Sequence, residues 1–91
     1  MDKKASIHSA QKTAIAILHY LRDYPSAKDT IEGIAKWWIR EEVEIVKRAL
    51  ELLVDEGVLE QHGLIYQLAH NHEEIKAGAI INKALQRLRK N

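Results

Sequence analysis

Gly57 separates two kinds of hydrophobic spacing, and that change constrains the fold more than any other feature of the chain. Before it, Val43, Val46, Ala49, Leu50, Leu53 and Val54 recur at mostly three- and four-residue steps, which lays an apolar stripe along a helix. The pattern predicts a helix from about Glu41 to Glu56. Glu41 and Glu42 stand at the positive end of its dipole, and Gly57 is its left-handed stop. Beyond Gly57 the apolar runs shorten to Val58-Leu59 and then Leu64, Ile65, Tyr66 and Leu68. With His62-Gly63 between them as a tight turn, the two runs predict a β-hairpin. Gln61, Tyr66 and Gln67 give its strands the polar and aromatic edges of a half-buried sheet.

A second helix precedes this one. Asp29 and Glu32 have capping-box spacing, with Asp in place of Ser or Thr, and Ile31, Ile34, Ala35 and Trp38 form the buried stripe behind them. Trp37 is about 100° round the helix from Trp38, so one ring is core and the other lies at a boundary. Gly33, four residues before Trp37, leaves a shallow place where that ring folds over its own helix or another chain approaches. Further upstream, Ile7, Ala10, Ala14, Ile17, Leu18 and Leu21 predict a first helix of about four turns. Ser6 or Ser9 caps it, and Pro25 ends it close to Asp23. Ile15 falls off its stripe and is assigned to meet the C-terminal segment.

That C-terminal segment is read as an amphipathic helix over 71–89, with His70 or Asn71 capping towards Glu73 or Glu74. Ile75 begins its stripe, and Ala77, Gly78 and Ala79 permit close helix approach. The helix packs on the first helix or pairs with its copy in a second subunit. A homodimer through Ala77, Ile80, Ile81, Ala84, Leu85 and Leu88 is the expectation, since a two-fold dimer is the commonest oligomer. The chain is therefore read as one domain over 1–91, with a core at 6–68 and a packing or dimerisation helix after it.

Composition removes several classes of function. Without cysteine there is neither a disulfide framework nor a thiolate metal site. MDKKASIH lacks the apolar run of a signal peptide, and no stretch approaches the ~20 apolar residues of a membrane span, so a cytoplasmic protein is expected. His8 and His19 do not converge. His70-x-His72 with Glu73 and Glu74 points its histidines to different sides of a helix and has no identifiable third ligand, so no metal is assigned. No glycine-rich phosphate loop, cysteine nucleophile or isolated carboxylate pair is present, so neither an enzyme nor a cofactor is expected.

Taken together, the elements resemble a winged helix-turn-helix domain of small bacterial and archaeal transcriptional regulators. TIEGIAKWWI resembles the supporting helix of that family, and VKRALELLVDEGVLE its recognition helix running into the wing. Val46 stands eleven positions before the helix-ending Gly57, followed at once by Val58-Leu59, as in the family. The resemblance covers residues 10–68. It implies a mainly α fold, a three-helix core plus a small β-hairpin wing, to which the C-terminal helix is added. It also implies duplex DNA as the partner. Carried over residue by residue, the exposed front of the recognition helix is Glu41, Glu42, Glu44, Ile45, Lys47 and Arg48. Phosphate contacts fall on Lys28, Lys36 and Arg40, and His62 lies at the wing tip.

Charge runs against part of this assignment. Residues 1–40 carry seven Lys/Arg against four Asp/Glu, residues 41–60 two against seven, and residues 61–91 five against two. The acidic block coincides with the expected recognition helix. Lys47 and Arg48 suit a groove, and one glutamate can accept from a cytosine amino group. Three acids there oppose the counterion release that drives DNA affinity. The turn before this helix is also about one residue longer than usual, and no Ser or Thr caps it. The basic end, with Lys83, Arg87, Arg89 and Lys90, is assigned to dipole compensation and solubility. Two readings follow. In one, a dimeric regulator binds DNA through Lys28, Lys36, Arg40, Glu44, Ile45, Lys47, Arg48 and His62. In the other, a protein-docking module uses the acidic helix with Ile45 and Trp37.

Overall fold

The computed structural model describes the backbone of residues 3–69 and 74–90, and the side chains of 9–69 and 79–89. The caps expected at His70 and Asn71, the His70-x-His72 pair with Glu73 and Glu74, and the roles given to the side chains of Ile7, His8, Ile75, Ala77, Gly78 and Lys90 lie outside what is described.

Helix α1 spans Lys3–Asp23, so Ser6 and Ser9, expected to cap it, lie within it and not at its start. It closes in a turn over Tyr24-Pro25-Ser26-Ala27, where the Ala27 N–H donates to the Tyr24 carbonyl at 3.0 Å. Proline stands second in that turn, where its fixed φ is already correct. A strand the sequence pattern did not indicate follows, β1 (Lys28–Asp29), and at two residues it is too short to show alternation. The second helix is therefore capped one residue later than expected. Thr30, with extended φ −79° and ψ 169°, accepts the Gly33 N–H on its hydroxyl at 3.2 Å. Asp29 instead accepts the Thr30 N–H at 2.7 Å. Its carboxylate occupies the space where a Cβ on Gly33 would lie, so Gly33 accommodates Asp29.

Helix α2 (Ile31–Gly33) continues into a π-helical turn over Ile34–Trp38. The Ile39 N–H reaches the Ile34 carbonyl at 3.3 Å and the Glu41 N–H the Ala35 carbonyl at 2.9 Å. Arg40 leaves this wide turn at φ 50°, an uncommon left-handed position for a residue with a Cβ. Helix α3 (Val43–Asp55) then starts two residues later than the expected Glu41, and its N-cap Glu42 makes no side-chain capping bond. Val46, Ala49, Leu50 and Leu53 are buried as expected. Val43, expected inward, is 43% exposed, whereas Ile45, expected outward, is half-buried. These two residues flank the stripe at the open end of the helix, and the flank bearing Ile45 is the better covered.

The end of α3 forms a Schellman motif. The Gly57 N–H donates to the Val54 carbonyl at 3.0 Å and the Val58 N–H to the Leu53 carbonyl at 2.9 Å, with Gly57 at φ 77°. Val58 and Leu53 are both buried, which adds the apolar contact usual for that cap. Strand β2 (Leu59–His62) pairs antiparallel with β3 (Ile65–Leu68), placing Leu59 opposite Leu68 and His62 opposite Ile65. His62 thus ends a strand, and the loop is Gly63-Leu64 and not His62-Gly63. Gly63 is at φ 64° while Leu64 is not left-handed, the pattern of a type II′ turn. On its other edge β3 pairs with β1, giving the order β1-β3-β2.

Helix α4 (Glu74–Lys90) packs on α1, which packs in turn on α3. Ile17, Leu18, Leu21, Ile34, Leu50, Leu53 and Ile81 fill the common core, with Tyr66 entering from the sheet. Ile15 packs on its edge. The protein is mainly helical with a small three-stranded antiparallel sheet, and among the described residues no helix is long and apolar enough to cross a membrane.

Candidate docking surface between α2 and α3

The Ile39–Glu42 connection joins the π turn to α3, and most of the residues singled out by sequence lie on these three segments. Ile34 and Ala35 turn inward, which leaves Lys36 and Trp37 outside. Trp37 is 70% exposed, the Lys36 Nζ lying 5.0 Å from its ring centroid. Lys36, assigned to a phosphate, is therefore seated on an indole face, a cation–π arrangement. Trp38 turns the other way. Half-buried, it stacks on Tyr20 at 4.6 Å with 12° between the rings, and Tyr20 meets Tyr24 at 4.9 Å. The side on which each ring falls is as expected, but Trp38 is half-buried where a core ring was expected, and Trp37 is exposed where a boundary ring was. Burial of Ile34 and Ala35 fixes those sides.

Across the connection, the outer surface of α3 carries Glu44, Lys47, Arg48, Glu51 and Asp55, all exposed. Glu41 and Glu42 precede them, so two cations share the surface with five acids. The Glu41 carboxylate accepts the Glu42 N–H at 3.0 Å. No ion pair among the described residues involves Glu42, Glu44, Lys47 or Arg48. Lys28 in β1 and Arg40 in the connection are also exposed. Between residues 28 and 56 the chain has five Lys/Arg and eight Asp/Glu.

The hairpin adds little positive charge. His62 is exposed and lies 3.0 Å from the Glu60 carboxylate, and Gln61 donates to the Gly63 carbonyl at 3.1 Å. Leu64, expected to open the second strand, instead lies at the loop and is 77% exposed. Its displacement from strand to loop follows from the one-residue shift of the turn.

The described residues among those assigned to a dimer contact lie on α4. Ile81, Ala84, Leu85 and Leu88 are buried within the single chain, and Ile80 is half-buried. Arg87, near the end of α4, pairs with Glu56 at 2.8 Å and ties the helix to the end of α3. Beside that pair, Glu56, Gly57, Val58, Ile80, Lys83, Ala84 and Arg87 line an open groove of about 250 Å³. Among the described residues no three His, Asp or Glu side chains gather into a metal site.

Comparison of the chain with protein-family models, with curated proteins and with solved structures gives no significant match.

Proposed function

We propose that this chain is a winged-helix module that binds another protein through the surface running from Trp37 across the connection to α3. The element order and the strand order β1-β3-β2 support the winged-helix reading, with α2 and α3 as the helix pair and β2-β3 as the wing. The observation that carries the function is the exposure of Trp37 beside a helix whose outer surface is acid-rich. A tryptophan 70% in water gives the fold little and supplies the amphipathic anchor typical of protein interfaces. The acids repel phosphate. A DNA-reading helix needs net positive charge to release counterions, and the segment from 28 to 56 has an excess of acids.

A second reading, binding of duplex DNA, is favoured by Lys28, Arg40, Lys47 and Arg48, which are exposed and free of ion pairs among the described residues. Lys36 would have to leave the indole to join them. Dimerisation through α4 would have to exchange α1 for a second copy, because its apolar face is already buried in one chain. The module is proposed to be non-catalytic and to need no cofactor.

Photo-crosslinking tests the choice. A benzophenone amino acid at position 44, activated in the protein's own cells, is expected to give an adduct that protease removes and nuclease does not change. An adduct shortened by nuclease would favour DNA.

A further inference from the structure

The sheet ends on β2. In the order β1-β3-β2 that strand has a neighbour on one side only among the described residues, and the Ala69 N–H donating to the Val58 carbonyl at 2.8 Å sets the phase of its ladder. Bonded pairs alternate in an antiparallel ribbon, so Val58, Glu60 and His62 exchange bonds with β3, while Leu59 and Gln61 turn their backbone N–H and C=O groups to the open edge. Gln61 is exposed, as an open edge requires. Two other features near this edge have no role in the single chain. One is Leu64, 77% exposed at the loop, and the other is the groove of about 250 Å³, whose lining includes the apolar Val58, Ile80 and Ala84.

We infer that β2 pairs with β2 of a second copy of this chain, antiparallel across a two-fold axis at Gln61, and that Leu64 of each copy reaches the groove of the other. The inference goes beyond the Trp37 surface and does not depend on it. Only residues whose backbone groups face outward can bond across the edge, which leaves three registers. Leu59 against Gln61 sets Glu60 opposite Glu60, a like-charge pair. Leu59 against Leu59 leaves each Glu60 opposite an apolar Val58. Gln61 against Gln61 sets each Glu60 carboxylate opposite the His62 imidazole of the other copy, and His62 already meets Glu60 of its own chain at 3.0 Å. Charge therefore selects the third. Continued by two residues, the same register brings Leu64 level with Val58 of the second copy, which lines the groove. A contact of one edge strand and one leucine per copy buries well under the ~1,200 Å² of a stable dimer, so a dissociation constant on the order of 10⁻⁴ M is expected. At micromolar concentrations such a contact adds nothing to the melting temperature.

The chain has no cysteine, so single-cysteine variants report the contact cleanly. Across the axis the two Gln61 residues face each other at about 5.5 Å between Cα atoms, within reach of a disulfide. At ~0.5 mM, Gln61→Cys is expected to oxidise to a dimer at least about tenfold faster than Lys28→Cys, which stands on the opposite edge of the sheet. Amide shifts of the wild type between ~50 µM and ~1 mM should move along β2 and at the loop. Leu64→Ser should weaken the association about tenfold or more, since each dimer loses two leucines. His62→Glu should abolish it, and Glu60→Lys/His62→Glu should restore it, because opposite charges then face each other again. Cross-linking no faster at position 61 than at 28, a chain still monomeric at ~1 mM, or association unmoved by Leu64→Ser would each overturn the inference.

Discussion

Replacing each tryptophan by alanine separates a ring that packs from one that does not. Trp37 is 70% exposed, so less than a third of its surface is buried. Of a side chain of roughly 250 Å², that is on the order of 75 Å², part of which alanine retains; at ~25 cal/mol per Å² the loss is on the order of 1 kcal/mol. The exposed cation–π contact with Lys36 adds about 0.5 kcal/mol, and the better helix propensity of alanine offsets about as much. Trp37→Ala is therefore expected to cost ~1 kcal/mol or less. Trp38 is half-buried and stacked on Tyr20 at 4.6 Å. Its truncation removes packing and an aromatic pair, for about 2–3 kcal/mol, towards the low end of aromatic-to-alanine losses in cores. For a domain of this size each kcal/mol moves the melting temperature by about 4–8 °C. Thermal melts followed by circular dichroism should show a drop for Trp38→Ala at least about twice that for Trp37→Ala, about 8 °C or more against about 8 °C at most. Equal losses for the two would mean that the Trp37 ring is structural, and the case for Trp37 as an anchor would fail.

Further substitutions probe the backbone and the last helix. Gly57→Ala places a Cβ at φ 77° in the Schellman cap and should cost roughly 1–2 kcal/mol in urea unfolding, whereas Arg40→Gly relieves φ 50° and should gain up to ~1 kcal/mol. Gly33→Ala drives a Cβ into the Asp29 carboxylate and should cost about 1 kcal/mol or more. Its effect should be non-additive with Asp29→Ala in a double-mutant cycle, and full additivity would contradict the packing described. Ile81→Ala should cost about 2–4 kcal/mol, because the side chain is fully buried. If α4 packs within one chain, the melting temperature of that variant and of the wild type should not change over a hundredfold range of concentration. A concentration-dependent melt would indicate that the helix is shared between subunits.

Long periodic elements were legible because their residues repeat. The stripe of α3 and its stop at Gly57 correspond to observed burial and to a Schellman cap, and the stripe of α1 to the centre of the core. Short or strained features were not. β1 has two residues, which cannot display a period, and its presence moved the cap from Asp29 to Thr30. The signal available was Thr30 itself, whose hydroxyl suits an N-cap and stands directly before the apolar stripe. The π turn and the left-handed Arg40 have no sequence signature, yet they delay α3 by two residues and leave Val43 outside. At the candidate surface, the acid-rich outer face of α3 could be read from spacing alone, because charged residues fall opposite the stripe. So could the side taken by Trp38, which shares the stripe of Ile34 and Ala35, while the exposure of Trp37, expected only at a boundary, could not. Nor could the seating of Lys36 on Trp37, because residues i and i+1 of an ordinary helix do not face each other.

The measurement closest to the central claim is titration of random-sequence duplex DNA in ~50 mM salt, with the wild type beside a Glu41→Lys/Glu42→Lys/Glu44→Lys variant. Each replacement exchanges a negative for a positive charge, and non-specific affinity of ordinary DNA-binding proteins lies at about 10⁻⁴–10⁻⁶ M even at physiological salt. The wild type is expected not to bind in that range, while the variant should bind and weaken steeply as salt rises to ~200 mM. Micromolar binding by the wild type with the same salt slope, abolished by Lys47→Ala with Arg48→Ala, would show that the acids do not exclude DNA and would contradict the docking account.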